Sequence, residues 1–159
     1  MDKSKIPADQ AEALGALMDD HRAAKKQFKA FKDTEDRDEK ESIALEVCHQ
    51  LTVHATIEEE IFYPALRGVS EEIDAMLDEA QVEHQVAKDL IAAIEEDPAG
   101  DMLEANFTVL SEYVSHHIEE EEGELFPKVR KIWDTERRQE VGRQMEEMKK
   151  QRQKERKAA

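Results

Sequence analysis

The chain contains little of the material from which disulfide scaffolds, β-sheets and membrane spans are built. Its 159 residues include one cysteine, five glycines and four prolines, and only 5% are aromatic. One cysteine excludes a disulfide within the chain and a cluster of thiolate metal ligands. Few glycines and prolines leave little for turns, which favours long helices over a sheet. No run is long and apolar enough for a signal sequence or a membrane span, so we expect a cytoplasmic protein.

Acidic residues are abundant and unevenly distributed along the chain. The formal net charge is −16, although residues 134–159 hold nine basic and six acidic residues. An acidic surface repels phosphate groups, which argues against nucleic acid as the main partner. The basic end KKQRQKERKAA is either a frayed helix end or a segment that docks an acidic protein partner.

Apolar residues recur at spacings of three and four, which is the period of amphipathic helices. We predict four long helices and a charged helical stretch: about Ala8 to Phe31, a second helix ending at about Arg67, Glu71 to Glu96, a fourth helix carrying Leu103 to Leu125, and 134–156. Ser70 is a suitable N-cap for the third helix. Long helices with short links predict an all-α fold, an up-down-up-down antiparallel four-helix bundle over 1–133 with a charged C-terminal extension over 134–159.

Each predicted long helix has one histidine at a core position near its middle, and two of the helices add a glutamate one turn later. The segment HATIEEEIFYP at 54–64 returns as HIEEEEGELFP at 117–127, an offset of 63 residues. The repeated unit, H-x32-H-x3-E-x5-P, relates three pairs of residues: His21 and His84, His54 and His117, and Glu58 and Glu121. Two copies related by a pseudo-twofold axis predict two equivalent half-sites in the core.

Histidines and glutamates in a bundle core require a compensating cation. A buried carboxylate must be paired, protonated or bound to metal. The spacing of His54 and Glu58 places both on one helical face, and neutral imidazole is a common metal ligand. Ligands of this kind without sulfur suit iron, manganese or zinc. Two glutamates shared between two half-sites suggest two bridged metal ions, and iron is the natural occupant for small oxidising ligands.

The segments HATIEEEIFYP and HHIEEEEGELFP, with His21 and His84 upstream, resemble the hemerythrin-like HHE cation-binding domain family over about residues 8–130. The resemblance implies a four-helix bundle that holds a non-haem di-iron centre, two Fe2+/Fe3+ ions joined by an oxo or hydroxo bridge. The ligands that it implies are four histidines and two bridging glutamates: His21, His54, His84, His117, Glu58 and Glu121.

Two positions differ from the oxygen-carrying members of that family. Those members have an H-x3-H pair on the third helix, whereas Ala80 stands four residues before His84 here. Their longer histidine-to-carboxylate spacing on the fourth helix would select Glu122, so Glu121 and Glu122 both stay open as ligands. The four-histidine set is more similar to the iron-centre repair proteins. It favours reaction with small oxidants over simple reversible oxygen carriage.

These features predict a non-haem di-iron protein that binds and reacts with O2, H2O2 or NO. As an enzyme, it would decompose peroxide in a catalase-like reaction or reduce NO or O2. The alternatives are a sensor or iron donor that binds without turnover, and a bundle in which a metal such as zinc only stabilises the fold. Four other side chains are secondary candidates. His116 would flank the site, and Glu83 could take the place of the missing histidine. Tyr113 is a hydrogen-bond donor or a packing residue, and Cys48 is expected to be a buried thiol.

Overall fold

The computed structural model describes residues 12–158, and within them it contains helices and no strand. The helices are α1 (Ala13–Asp33), α2 (Arg37–Ile57), α3 (Tyr63–Leu66), α4 (Glu71–Glu96), α5 (Leu103–Glu120), α6 (Phe126–Ile132) and α7 (Thr135–Ala158). Two π-helical turns, Glu58–Phe62 and Glu121–Leu125, connect α2 to α3 and α5 to α6. The predicted all-helical fold is confirmed. The predicted start of the first helix at Ala8 lies outside the described residues, and that helix ends at Asp33 rather than Phe31.

Short polar segments fix where the helices begin. Asp36 caps α2 by accepting hydrogen bonds from two backbone N–H groups of its first turn. The Ser70 hydroxyl accepts a hydrogen bond from the Ile73 backbone N–H at 3.1 Å, so its predicted role as the N-cap of α4 is confirmed. Just before it, Gly68 has φ +87°, a left-handed conformation that glycine adopts without strain.

The long helices form a bundle in which α1 packs on α2, α2 on α4, and α4 on α5. Its buried apolar side chains form two clusters. One cluster is rich in aromatic rings and includes Phe62, Phe126 and Trp133. The other is centred on Phe31 and Phe107, whose ring centroids are 4.0 Å apart. Among the described residues, no helix combines the length and the hydropathy that crossing a bilayer requires.

Helix α7 packs along α1 and α2. Although α7 is highly charged, Val141 and Met145 are buried against the aromatic cluster. Gly142 permits the close approach, because a Cβ there would lie 2.9 Å from the backbone nitrogen of Ala13. Each fully buried apolar side chain stabilises docking by about 1.5–3 kcal/mol, whereas an exposed ion pair contributes about 0–1 kcal/mol. Apolar burial therefore holds the first half of α7 in place.

The basic second half of α7 pairs with acidic residues of the same chain. Arg152 lies 3.5 Å from Glu60, and Arg156 lies 2.7 Å from Glu46. These exposed pairs order the helix to its end rather than adding much stability. The described part of the basic end, up to Ala158, is helical and pairs with the acidic body of its own chain.

Candidate metal centre

The structure brings the six predicted ligand residues together in the layer between the two apolar clusters. His21, His54, His84 and His117 come from α1, α2, α4 and α5 in turn. The imidazole rings form two pairs, His21 with His54 at 5.2 Å between centroids and His84 with His117 at 5.0 Å. Both glutamates are buried: Glu58 is 0% exposed and Glu121 is 3% exposed.

Each glutamate lies between one histidine of each ring pair. Glu121 Oε1 is 3.1 Å from His21 Nε2 and 3.5 Å from His117 Nε2. Glu58 Oε1 is 3.1 Å from His84 Nε2 and 3.5 Å from His54 Nε2. Two groups of potential ligands result, His21–His54–Glu121 and Glu58–His84–His117. Since each carboxylate contacts both ring pairs, both glutamates occupy positions suited to bridging.

A second set of carboxylates holds the other nitrogen of every ring. Each imidazole Nδ1 lies 2.7–2.9 Å from one of them: His21 from Glu122, His54 from Asp20, His84 from Glu59 and His117 from Glu83. Asp20 and Glu83 are 63 positions apart, as are Glu59 and Glu122, so the repeat includes these partners. Such bonds fix the ring orientation and leave Nε2 free for a metal ion, as in metal sites whose histidines carry a carboxylate partner.

Several buried polar atoms at the centre lack hydrogen bonds. No described residue hydrogen-bonds His54 Nε2 or either carboxylate oxygen of Glu58. A buried carboxylate is stable only beside a compensating positive charge, which either a metal ion or protonated imidazoles can supply. The unpaired atoms are imidazole nitrogen and carboxylate oxygen, which bind iron, manganese and zinc. The residues present therefore fit a divalent or trivalent metal ion.

The electrostatics of the metal-free protein also indicate that the buried centre requires positive charge. Burial lowers the pKa of His54, but the charge of Glu58 and the hydrogen bond to Asp20 outweigh it and raise that pKa to about 10. Burial also lowers the pKa of His117, but the contact with Glu121 outweighs this effect and raises that pKa to about 11. Despite burial, the pKa of Glu121 lies well below its ordinary value because of its contacts in the cluster. Protons on His54 and His117 thus supply positive charge that a metal ion would otherwise supply.

The π-helical turns begin at the two central glutamates. The Tyr63 N–H bonds to the Glu58 carbonyl, and the Phe126 N–H bonds to the Glu121 carbonyl, a spacing of five residues. Each turn precedes a proline, Pro64 or Pro127, whose ring would clash with the carbonyl four residues earlier in a regular α-helix. The widened turn brings the aromatic residue at its end onto the same side as the glutamate.

These aromatic residues cover one side of the histidine layer, and they differ between the two copies of the repeat. The Tyr63 ring lies 5.5 Å from His84, and the Phe126 ring stacks on His21 at 5.9 Å. Tyr63 also donates a hydrogen bond from its hydroxyl to Glu121 Oε2 at 2.7 Å. Burial and the nearby carboxylates raise the tyrosine pKa, so the hydroxyl keeps its proton. Sequence reasoning did not identify Tyr63, although its repeat partner is also aromatic.

The other sequence candidates have different surroundings. His116 is exposed and pairs with Glu120 at 2.6 Å, outside the buried layer. Glu83 contacts His117, and Glu122 contacts His21 at its outer nitrogen, on the opposite side of the ring from Glu121. Tyr113 is half-buried and lines a cavity.

The cysteine of the chain, Cys48, lies in the apolar core. Cys48 is 0% exposed within the apolar cluster of Phe31 and Phe107. Burial, together with the charge of Glu95, raises its pKa to about 12. Its expected character as a buried apolar thiol is confirmed.

Helix α7 reaches the site through Asp20. Lys149 Nζ lies 2.9 Å from Asp20 Oδ1, while the other oxygen of this carboxylate accepts the hydrogen bond from His54 Nδ1. Burial raises the pKa of Asp20, but His54 and Lys149 outweigh it and lower the value to about 2. Asp20 is therefore ionised at any ordinary working pH. Neither Asp20 nor Lys149 was recognised from the sequence, because both lie among other charged residues.

An all-helical bundle with four histidines and two carboxylates in its core defines a class of cation-binding proteins. The chain belongs to the family described as Hemerythrin HHE cation binding domain, whose profile matches residues 12–129. A crystal structure of a hemerythrin HHE cation binding domain-containing protein from Mycobacterium kansasii is similar in fold. The similarity has a TM-score of 0.73 at 21% identity and covers 91% of this chain and 89% of that one. No curated protein matches the chain.

Proposed function

We propose that the chain is a non-haem di-iron protein that reacts with small oxidants such as O2, H2O2 or NO. One iron ion would be held by His21 and His54, the other by His84 and His117, with Glu58 and Glu121 shared between them. We also infer that the four long helical segments run up-down-up-down, since consecutive segments are joined by short links. When bound, a pair of iron ions supplies one-electron redox chemistry and a site for a small oxidising ligand.

The observation that carries the proposal is the set of unpaired buried atoms at the centre. His54 Nε2 and both oxygens of Glu58 lack a hydrogen-bond partner among the described residues, although all three are removed from solvent. Two groups of side chains of the same types, His21–His54–Glu121 and Glu58–His84–His117, support a pair of metal positions. A buried group of this composition is explained by bound metal and is costly without it.

The residues of the chain have separable tasks in this proposal. The four carboxylates that hydrogen-bond Nδ1 of the histidines, here called the outer carboxylates, hold each imidazole in place and increase its basicity. They are Asp20, Glu59, Glu83 and Glu122. Tyr63 keeps a proton on its hydroxyl and fixes the orientation of Glu121. Phe62 and Phe126 pack edge to face at 6.0 Å and exclude water from the aromatic side. A dry environment on that side strengthens the electrostatic interactions within the cluster.

Metal content per chain is the first test. Protein loaded anaerobically with ferrous iron should contain about two irons per chain by elemental analysis, and His54→Ala should contain fewer. His116→Ala is the matched control, because His116 also precedes a glutamate by four residues but is exposed. Rapid mixing of the loaded protein with O2, H2O2 or NO should change the absorbance of the iron. A single inert zinc, or equal iron in wild type and His54→Ala, would contradict the proposal.

The contact between Lys149 and Asp20 favours a second candidate function, a redox sensor that signals through α7. A change at His54 would alter the charge that Asp20 presents to Lys149, and the basic end of α7 could then bind a protein partner. Protease sensitivity of α7 that differs between the ferrous and ferric protein, without turnover, would support the sensor. Steady turnover with unchanged protease sensitivity would support the enzyme.

A further inference from the structure

A large cavity adjoins the histidine layer on the side away from the aromatic cluster. Its volume is about 870 Å³, and its walls come from α1, α2, α4, α5 and α7. A molecule the size of water occupies roughly 30 Å³ of liquid, and small oxidants are not much larger. Pockets for drug-sized organic ligands measure about 300–1,000 Å³. The space is thus far larger than a diatomic molecule or peroxide requires.

The repeat explains why the core is hollow at this level. Ala24 and Ala87 stand three residues after the histidines of α1 and α4, and Leu51 and Val114 stand three before those of α2 and α5. These four positions form the layer next to the histidines, and two of them are alanines. Leu51, Ala87 and Val114 are only partly buried, although they pack against the apolar cluster. Their side chains are too small to fill the layer.

Most of the surface that lines the cavity is apolar, and Val47, Ile91 and Ile118 form part of the wall. The lining also includes the four histidines of the candidate metal centre and, from α7, Gln153 and Arg156. Water within an apolar wall lacks hydrogen-bond partners, so such a space favours an apolar occupant. The charged residues of the lining are acidic as well as basic, and Glu46 pairs with Arg156, so the cavity does not select a ligand of one charge.

We propose that this cavity binds a neutral, apolar organic molecule in contact with the histidine–glutamate cluster. Binding depends only on the shape and chemistry of the cavity. The assignment of the bound molecule as a substrate of the cluster rests on the proposed di-iron function. The substrate class of the site would then be an apolar organic compound in addition to a small oxidant.

The test uses the full-length protein, metal-free and iron-loaded, with the neutral fluorescent probe N-phenyl-1-naphthylamine. We expect saturable binding at one site per chain. Primary alcohols of increasing length should displace the probe, with affinity rising about fourfold per methylene, the equivalent of ~0.8 kcal/mol. Absence of saturable binding, or displacement that does not depend on chain length, would overturn the proposal.

Cavity-filling variants locate the probe. Ala87→Leu should weaken probe binding at least tenfold, and Leu51→Phe provides a second variant if the first does not fold. Ala105→Leu on the exposed face of α5 is the matched control and should bind the probe like wild type. Equal binding by folded Ala87→Leu and Ala105→Leu would place the probe elsewhere and refute the assignment. Iron content measured on the same samples keeps the proposals distinct, because probe binding without iron contradicts only the di-iron function.

Discussion

Loss of charge at Asp20 gives a sharp test of the outer carboxylates. Asp20 accepts a hydrogen bond from His54 Nδ1 at 2.9 Å, so it holds the ring with Nε2 facing the centre. Asp20→Asn keeps the shape of the side chain but removes the negative charge that raises the basicity of the imidazole. The amide can also present N–H to Nδ1 and so favour the wrong tautomer of His54.

The size of the effect follows from burial. Loss of a carboxylate partner of a metal-bound histidine weakens metal affinity about 10- to 100-fold, or ~1.4–2.7 kcal/mol. The Asp20 side chain is 26% exposed and pairs with Lys149, whereas that of Glu83, its repeat partner, is 16% exposed. We therefore expect about tenfold weaker iron binding for Asp20→Asn and a larger loss for Glu83→Gln.

The assay is competition between the protein and a chelator of known affinity for ferrous iron under anaerobic conditions. Asp19→Asn serves as the control, since Asp19 is an exposed neighbour that pairs with Arg22 rather than with a histidine. Iron affinities of Asp20→Asn and Glu83→Gln within twofold of wild type would refute the argument that these carboxylates support the ligands. Equal losses in Asp19→Asn would show a general effect of surface charge instead.

Further predictions concern protonation, hydrogen bonding and thiol access. Since the pKa values of His54 and His117 are about 10 and about 11, metal binding at pH 7.5 should release about two protons, measured by calorimetry in buffers of different ionisation enthalpy. Because these pKa values are raised in the folded protein, the protonated histidines stabilise the metal-free protein fully below pH 6.5. Urea titrations should show that the free energy of unfolding falls as the pH rises towards 10. Tyr63→Phe removes the hydrogen bond to Glu121 and should destabilise the metal-free protein by about 1–3 kcal/mol in a urea titration. Cys48 should react with iodoacetamide at pH 8 at least about a hundredfold more slowly in the folded protein than in urea, because its folded pKa is about 12.

The long helices could be predicted because apolar spacing reports the buried face of a helix whatever it packs against. The grouping of the six candidate residues was also predictable, since an offset of 63 residues related polar residues at core positions where their burial requires an explanation. The π-helical turns were harder to predict from the sequence. They depend on how Pro64 and Pro127 perturb backbone hydrogen bonds, which the apolar period does not reveal.

The outer carboxylates could not be distinguished from the solvated faces of the helices. Asp20 and Glu59 lie in charged stretches, where an acidic residue is usually exposed, and only the contacts between helices assign them to a histidine. Their repeat partners were considered for other roles: Glu83 because it is adjacent to His84, and Glu122 because the family resemblance allows a longer spacing from His117. Extending the 63-residue comparison by one position on each side would have found all four together.

The repeat makes the two candidate metal positions equivalent in ligand type, so any difference between them must come from their surroundings. On the aromatic side, Tyr63 hydrogen-bonds Glu121, whereas Phe126, its repeat partner, has no hydroxyl with which to hold Glu58. Among the described residues, no hydrogen bond holds either oxygen of Glu58, whose Oε1 contacts His84 Nε2 at 3.1 Å, while Glu121 is held by the tyrosine. One of the two central carboxylates is therefore held by a hydrogen bond and the other is not. Under the proposed di-iron function, a carboxylate without this restraint would change its binding more readily, so we expect Glu58 rather than Glu121 to adjust when a small oxidant enters from the cavity.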